Sequence, residues 1–124
     1  MMDPESRYSI STAIEFGPLE IIDIPNLIEA SKKDWQNISL CVVNDCVVRL
    51  GVIYGEFHWH KHDHEDEVFY VVSGLLHIDI DDEVYKIRPG QAFMVPKGVL
   101  HRTRAPERTA ILMVEGKTVT PTGD

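Results

Sequence analysis

The sequence predicts an all-β domain, an antiparallel sandwich or barrel with one short helix near its N-terminus. Three observations carry that expectation. Short runs rich in β-branched and aromatic residues follow one another through about eighty residues. Turn residues separate them at close intervals, which leaves no room for the crossover helices that a parallel sheet requires. The chain of 124 residues, 44% hydrophobic, is long enough for one core.

Taken in order, residues 1–20 surround the apolar stretch "YSISTAIEF" with Pro4, Gly17 and Pro18. They are expected to form an N-terminal arm or an added edge strand. The segment "IPNLIEASKKDW" is expected to form the short helix, with Pro25 near its start, where its missing N–H costs nothing. The runs that follow are "NISLCVV", "CVVRLGVIYG", "EFHWHKH", "EVFYVVSG", "LLHIDI", "EVYKIRPG", "QAFMVPKG", "HRTRAP" and "TAILMVEG". Together residues 21–116 make the barrel, and residues 117–124 a C-terminal tail. Between the first two runs, Asn44 and Asp45 form a two-residue hairpin signal. That turn sets Val43 opposite Cys46 and Cys41 opposite Val48. The two cysteines are then diagonal, so reduced thiols rather than a disulfide are expected, as in a cytoplasmic protein. Neither cysteine has the spacing of a CxxC pair or a zinc finger.

Charge and patterning exclude several function classes. The formal net charge of -8 argues against binding nucleic acid or an anionic membrane surface. Apolar runs are only a few residues long, too short to span a bilayer. The start "MMDPESRYSIS" lacks a basic segment followed by an apolar one, so no secretory signal is expected.

The chemistry concentrates in "HWHKHDHEDE", residues 58–67, which holds four of the six histidines at alternate positions. On a strand, alternate side chains share a face. His58, His60, His62 and His64 would point one way, Phe57, Trp59 and Lys61 the other. Imidazoles two apart on one face can reach the same ion, and carboxylates follow at once to complete a ligand set. A solvated histidine-rich strand or a pH-sensitive edge is the plainer alternative. The density of imidazole on one face beside a carboxylate cluster favours a metal.

At this point the sequence resembles the cupins. Their first motif is matched by "HKHDHEDEVFYVVSG", as His60-x-His62-x4-Glu67-x6-Gly74, and their second by "GQAFMVPKGVLHRTRA", as Gly90-x5-Pro96-x-Gly98-x2-His101. Two positions depart from the pattern. Tyr54 stands where the first motif begins with glycine, with Gly55 one place late, and Ala105 stands where the second motif ends in asparagine. The resemblance covers residues 55–105 closely and implies a jelly-roll barrel, the double-stranded β-helix.

It also implies a ligand set of His60, His62, Glu67 and His101 for one divalent ion, Fe, Mn, Ni, Co or Zn, with coordination positions left for a substrate. His58 would lie one step deeper on the same face, near a ligand or a substrate, and His64 in the turn. His77 is expected to face outward with Asp79. Arg49 becomes a candidate anion anchor if its side chain faces the barrel. His58, Tyr54 and Tyr70 are candidate pocket residues able to carry a proton. The implied function is a metal-dependent enzyme, an oxygenase or an isomerase or lyase, acting on a small chelating organic substrate. The alternative is a non-catalytic module that binds or senses a small molecule. A homodimer joined through the N-terminal strands is expected, because exposed strand edges pair readily.

Overall fold

The strands of the computed structural model start and stop at the turn residues that the sequence supplies. It describes residues 8–124. In chain order the elements are β1 (Tyr8–Ile14), α1 (Ile24–Ala30), β2 (Trp35–Val43), β3 (Cys46–Glu56), β4 (Glu67–Ser73), β5 (Leu76–Ile80), β6 (Glu83–Ile87), β7 (Ala92–Val95) and β8 (Arg102–Gly116). The β2–β3 hairpin has the expected register, with Val43 opposite Cys46 and Cys41 opposite Val48. Asn44 takes the left-handed conformation that the turn demands, φ 52°, and both thiols are free. Gly74 turns β4 into β5 at φ 88°, where an added Cβ would strike the backbone of Arg108 and Thr109. Glycine alone fits there.

The eight strands form one sheet in the order β1-β2-β3-β8-β4-β7, with β5 paired to both β6 and β8. β8 joins its parts. Its C-terminal half lies between β3 and β4, and its N-terminal end pairs with β5. The two runs expected as "HRTRAP" and "TAILMVEG" are therefore one strand of 15 residues that passes through Pro106. The pairings are antiparallel apart from β1 with β2, which is parallel. The cause is α1. A helix between two strands lets the chain return and enter the second strand in the same direction.

Alternation along the strands makes two cores. Inside the barrel, Trp35, Ile53, Phe57, Phe69, Val71, Leu76, Ile78, Ile111 and Met113 pack together. On the opposite face of β2 and β3, Leu40, Leu50 and Val52 pack beneath Ile24, Leu27 and Ile28 of α1. Asp23 caps that helix by accepting from the Asn26 N–H, and Pro25 occupies its first turn. The expected arm of residues 1–20 falls partly outside the described residues. Its part from Tyr8 onward supplies edge strand β1.

Residues 117–124, expected as a tail, fold back over one end of the barrel. Val119 is buried. The Asp124 N–H donates to the Lys61 carbonyl, and the Asp63 N–H donates to the Asp124 carboxylate.

Candidate metal centre

The segment expected as a histidine strand is not a strand. β3 ends at Glu56, just after Gly55 takes φ 98° and shifts the register against β8. The inward face nevertheless continues through Gly51, Ile53 and Phe57, and the alternation breaks only after Phe57. Phe57, expected on the opposite face from the histidines, turns into the core, while His58 and Trp59 lie outside. Alternation resumes at His60. His60 and His62 are buried, with Lys61 and Asp63 exposed.

The remaining backbone contacts bring the site together. His60 and His101 form an isolated antiparallel bridge, each N–H donating to the other's carbonyl at 2.9 Å. The "PKG" corner is tied on by the Gly98 N–H, which donates to the His62 carbonyl at 2.8 Å. Glu67 is the first residue of β4.

Four side chains converge as a result. His60, His62, Glu67 and His101 are all buried, and each offers a ligand atom within 4.8 Å of the other three. His62 Nε2 lies 3.5 Å and His101 Nε2 3.7 Å from Glu67 Oε1. Among the described residues none of these three atoms has a hydrogen-bond partner, although all are buried. Such groups are costly to leave unmatched. The tautomers fit the same reading. His60 Nδ1 contacts the His58 carbonyl at 3.0 Å and His101 Nδ1 the Val99 carbonyl at 2.9 Å. A carbonyl only accepts, so each Nδ1 carries the hydrogen and each Nε2 keeps its lone pair for a ligand bond. The donor set fits a first-row divalent ion.

Electrostatics prepare these groups. Burial lowers the pKa of His60 to about 4, so it is neutral at physiological pH. Burial acts the same way on His62, but the carboxylate of Glu67 outweighs it and raises that pKa above 6.5. Burial also opposes ionisation of Glu67. Contacts with Glu115, His101 and His62 overcome it and hold the carboxyl well below its ordinary range. Behind Glu67, directly across from it on β8, stands Glu115. Burial and the adjacent Glu67 push Glu115 up to about 10, against the pull of Arg49, whose Nε lies 3.0 Å away. The pair is thus one ionised carboxylate, facing the imidazoles, and one protonated carboxyl behind it.

The other candidate residues are placed as follows. Arg49 points inward and is buried with its Nε 3.0 Å from Glu115, and it does not line the cavity at the histidines. Tyr54 and Tyr70 face outward, 52% and 43% exposed, because their strand neighbours Ile53, Phe69 and Val71 take the interior. Neither lines the cavity at the histidines, and Tyr54 instead lines an open depression with Arg104 and Pro106. His58 is exposed, its Nε2 2.6 Å from the Thr122 carbonyl, and lies beside the centre rather than deeper within it. His64 is exposed in the turn. His77 and Asp79 share the outer face of β5 as expected, but Asp79 is buried there by Arg102 and Arg104, which donate to it at 3.0 and 2.6 Å.

Sequence reasoning missed Glu115, Asn37 and the tail. Glu115 had a signal: Ile111, Met113 and Glu115 keep one period-two face of "TAILMVEG". The cavity beside the histidines is narrow, about 30 Å³, and is lined by His60, Glu67, Glu115, Asn37 and Thr103 among apolar residues such as Trp35, Phe57 and Phe69. Pro121 of the tail supplies part of its wall. Ala105, at the position of the second motif's asparagine, is packed in the core.

An all-β jelly roll that gathers three imidazoles and a carboxylate inside it defines a barrel with a buried cluster that could hold a metal ion. The chain belongs to the cupin family: the cupin domain matches residues 47–115, more than half of its length. It is 44% identical over 87 residues to the uncharacterized protein YdbB of Bacillus subtilis, covering 69% of this chain and 77% of that one. It is 40% identical over 45 residues to a polyketide synthase, CurC, of Streptomyces cyaneus, covering 36% of this chain and 29% of that protein. Among solved structures, a cupin-2 domain protein from Shewanella frigidimarina superposes with a TM-score of 0.74 at 31% identity, covering 77% of this chain and 94% of that one.

Proposed function

We propose that this protein is a metal-dependent enzyme that acts on a small chelating organic molecule, by oxygenase or by isomerase or lyase chemistry. One observation carries the reading: four buried side chains offer ligand atoms within 4.8 Å of one another, and two of them, His60 and Glu67, line a narrow, largely apolar cavity. A divalent ion of iron, manganese, nickel, cobalt or zinc held by His60, His62, Glu67 and His101 would supply Lewis acidity or redox chemistry there. The protein's own groups do the rest. Glu67 offsets the cation's charge. Glu115 holds a proton at a carboxyl beside it. Trp35, Phe57 and Phe69 exclude water. Enolates, keto acids and 1,3-dicarbonyls chelate in the required way. The partial likeness to a protein named as a polyketide synthase agrees with the last of these, since poly-β-ketone chains are built of 1,3-dicarbonyl units.

The test begins with elemental analysis of protein purified without added metal. A metal content near zero that stays there on reconstitution overturns the assignment. Protein loaded with Fe(II) is then offered 2,4-pentanedione, cysteine and pyruvate with oxygen uptake recorded, and a parallel assay follows product by NMR without oxygen. Oxygen consumption selects the oxygenase branch, and conversion without it the isomerase or lyase branch. Ligands that raise the melting temperature without product, with any of the metals, would replace the enzyme by a small-molecule-binding module. We further propose a cytoplasmic homodimer. Edge strand β1 adjoins Ile14, Leu19 and Ile21, which are 47%, 105% and 93% exposed, and such an edge beside apolar surface favours pairing with a second copy.

A further inference from the structure

The cavity beside the histidines has a second polar feature that the metal reading leaves unused. Asn37 lies on β2, directly opposite Gly51 on β3, and both line the cavity together with His60 and Glu67. Asn37 is only 9% exposed, and its Oδ1 is buried with no hydrogen-bond partner. Its neighbours on the same inward face are Trp35 and Ser39. Trp35 stacks on Phe57 at 5.1 Å and cannot supply a partner from that face, while the Ser39 hydroxyl is already spent on the Ser11 carbonyl. The position opposite is empty of side chain. A Cβ at Gly51 would meet Ile111 Cγ1 at 3.0 Å and Met113 Cε at 3.2 Å, both residues of the cavity wall. The room that a side chain at position 51 would need is thus already taken by Ile111 and Met113, and the unmatched amide faces the narrow cavity that remains.

A buried amide oxygen without a donor is costly, so a site that keeps one gains when a ligand completes it. We infer that Asn37 is the specificity-determining subsite of this cavity, and that it selects chelating ligands bearing a neutral hydrogen-bond donor, a hydroxyl or an amide N–H, away from the chelating end. An anionic end is disfavoured, because Glu67 and Glu115 line the cavity and Arg49 does not. The terminal amide of asparagine is an acceptor at Oδ1 and a donor at Nδ2, so the same side chain rejects an analogue of equal size that lacks the hydroxyl, by leaving its own oxygen unpaired.

This inference rests on an open metal position beside the cavity, and the experiment separates the two. Two matched pairs of hydroxamates serve as probes: acetohydroxamate with glycolohydroxamate, and propionohydroxamate with 3-hydroxypropionohydroxamate. Each pair shares one chelating group and differs by a hydroxyl, on arms of two lengths. Calorimetric titration into Ni(II)-loaded protein should show the hydroxylated member of at least one pair binding about tenfold tighter, the 1.4 kcal/mol of one buried hydrogen bond. In Asn37→Leu that preference should vanish, while metal content stays unchanged. If all four bind the wild-type protein and neither pair is discriminated, the Asn37 assignment is overturned and the metal reading stands; this comparison holds even if the variant fails to fold. A preference that survives in Asn37→Leu also overturns it. If no hydroxamate binds metal-loaded protein, the open metal position falls, and this subsite with it.

Discussion

At the scale of the residue, the six histidines are not equivalent, and the difference is one of position rather than chemistry. His60, His62 and His101 present buried nitrogens to Glu67, whereas His58 and His64 are exposed. Replacing His60, His62 or His101 by alanine should each strip the metal or weaken it by orders of magnitude. His64→Ala should leave binding unchanged. His58→Ala should keep the metal, with at most the roughly 10–100-fold loss that outer contacts produce. Metal titration of the five variants checks this; a His62→Ala variant that binds normally would show that the ligand set is wrongly drawn. The pH dependence follows from the same groups. An imidazole must be neutral to bind a metal. His60, with a pKa of about 4, already is, whereas His62 is held above 6.5 by Glu67. The proton to be displaced near neutrality therefore belongs to His62. Affinity should fall as pH drops through a value above 6.5, with His60 adding a further loss only near pH 4. Titration from pH 8 to 5.5 tests the sign, and a flat profile contradicts it.

At the scale of the element, β3 separates the site from the second core. Gly51 and Ile53 face the cavity, while Leu50 and Val52 face α1. Leu50 is 0% exposed. Leu50→Ala should cost about 2–5 kcal/mol, the range for a fully buried leucine, and should leave metal stoichiometry unchanged because its side chain points away from the ligands. Urea unfolding paired with elemental analysis measures both. The bulge at Gly55 also acts at this scale. Beyond it Phe57 keeps the inward face of Gly51 and Ile53, and the two consecutive exposed residues His58 and Trp59 bring His60 and His62 to that same face. The sequence shows the glycine, but the register shift depends on how β8 pairs across it.

At the scale of the whole molecule, two surfaces remain to be accounted for. β1 is an edge of the sheet, joined to it on one side only. In the homodimer proposed here, deleting residues 1–18 should give a monomer by light scattering, and an unchanged dimer would move the interface elsewhere. At the other end, residues 117–124 cross the barrel at the histidine segment. Gly123 sits so close that a Cβ there would meet His60. The tail is thereby part of the cavity wall, through Pro121, and not an appendage.

The sequence by itself determined the fold class, the first hairpin with its register, the helix start and the four residues that converge. Each depends on local chemistry: β-branched runs between turn residues, Asn44 at a left-handed position, Asp23 and Pro25 at a helix N-terminus, and two motifs whose spacing carries the ligands. Only the tertiary structure decided which faces those residues take. It turned Tyr54 and Tyr70 outward, closed Arg49 onto Glu115, made one strand of two runs through Pro106, set β1 parallel to β2, and left Asn37 unpaired opposite Gly51. The physical reason is that facing depends on register, and register is fixed by partners far away in the chain. A one-residue shift inverts a strand, and no local signal in residues 46–60 reports what β8 does fifty residues later.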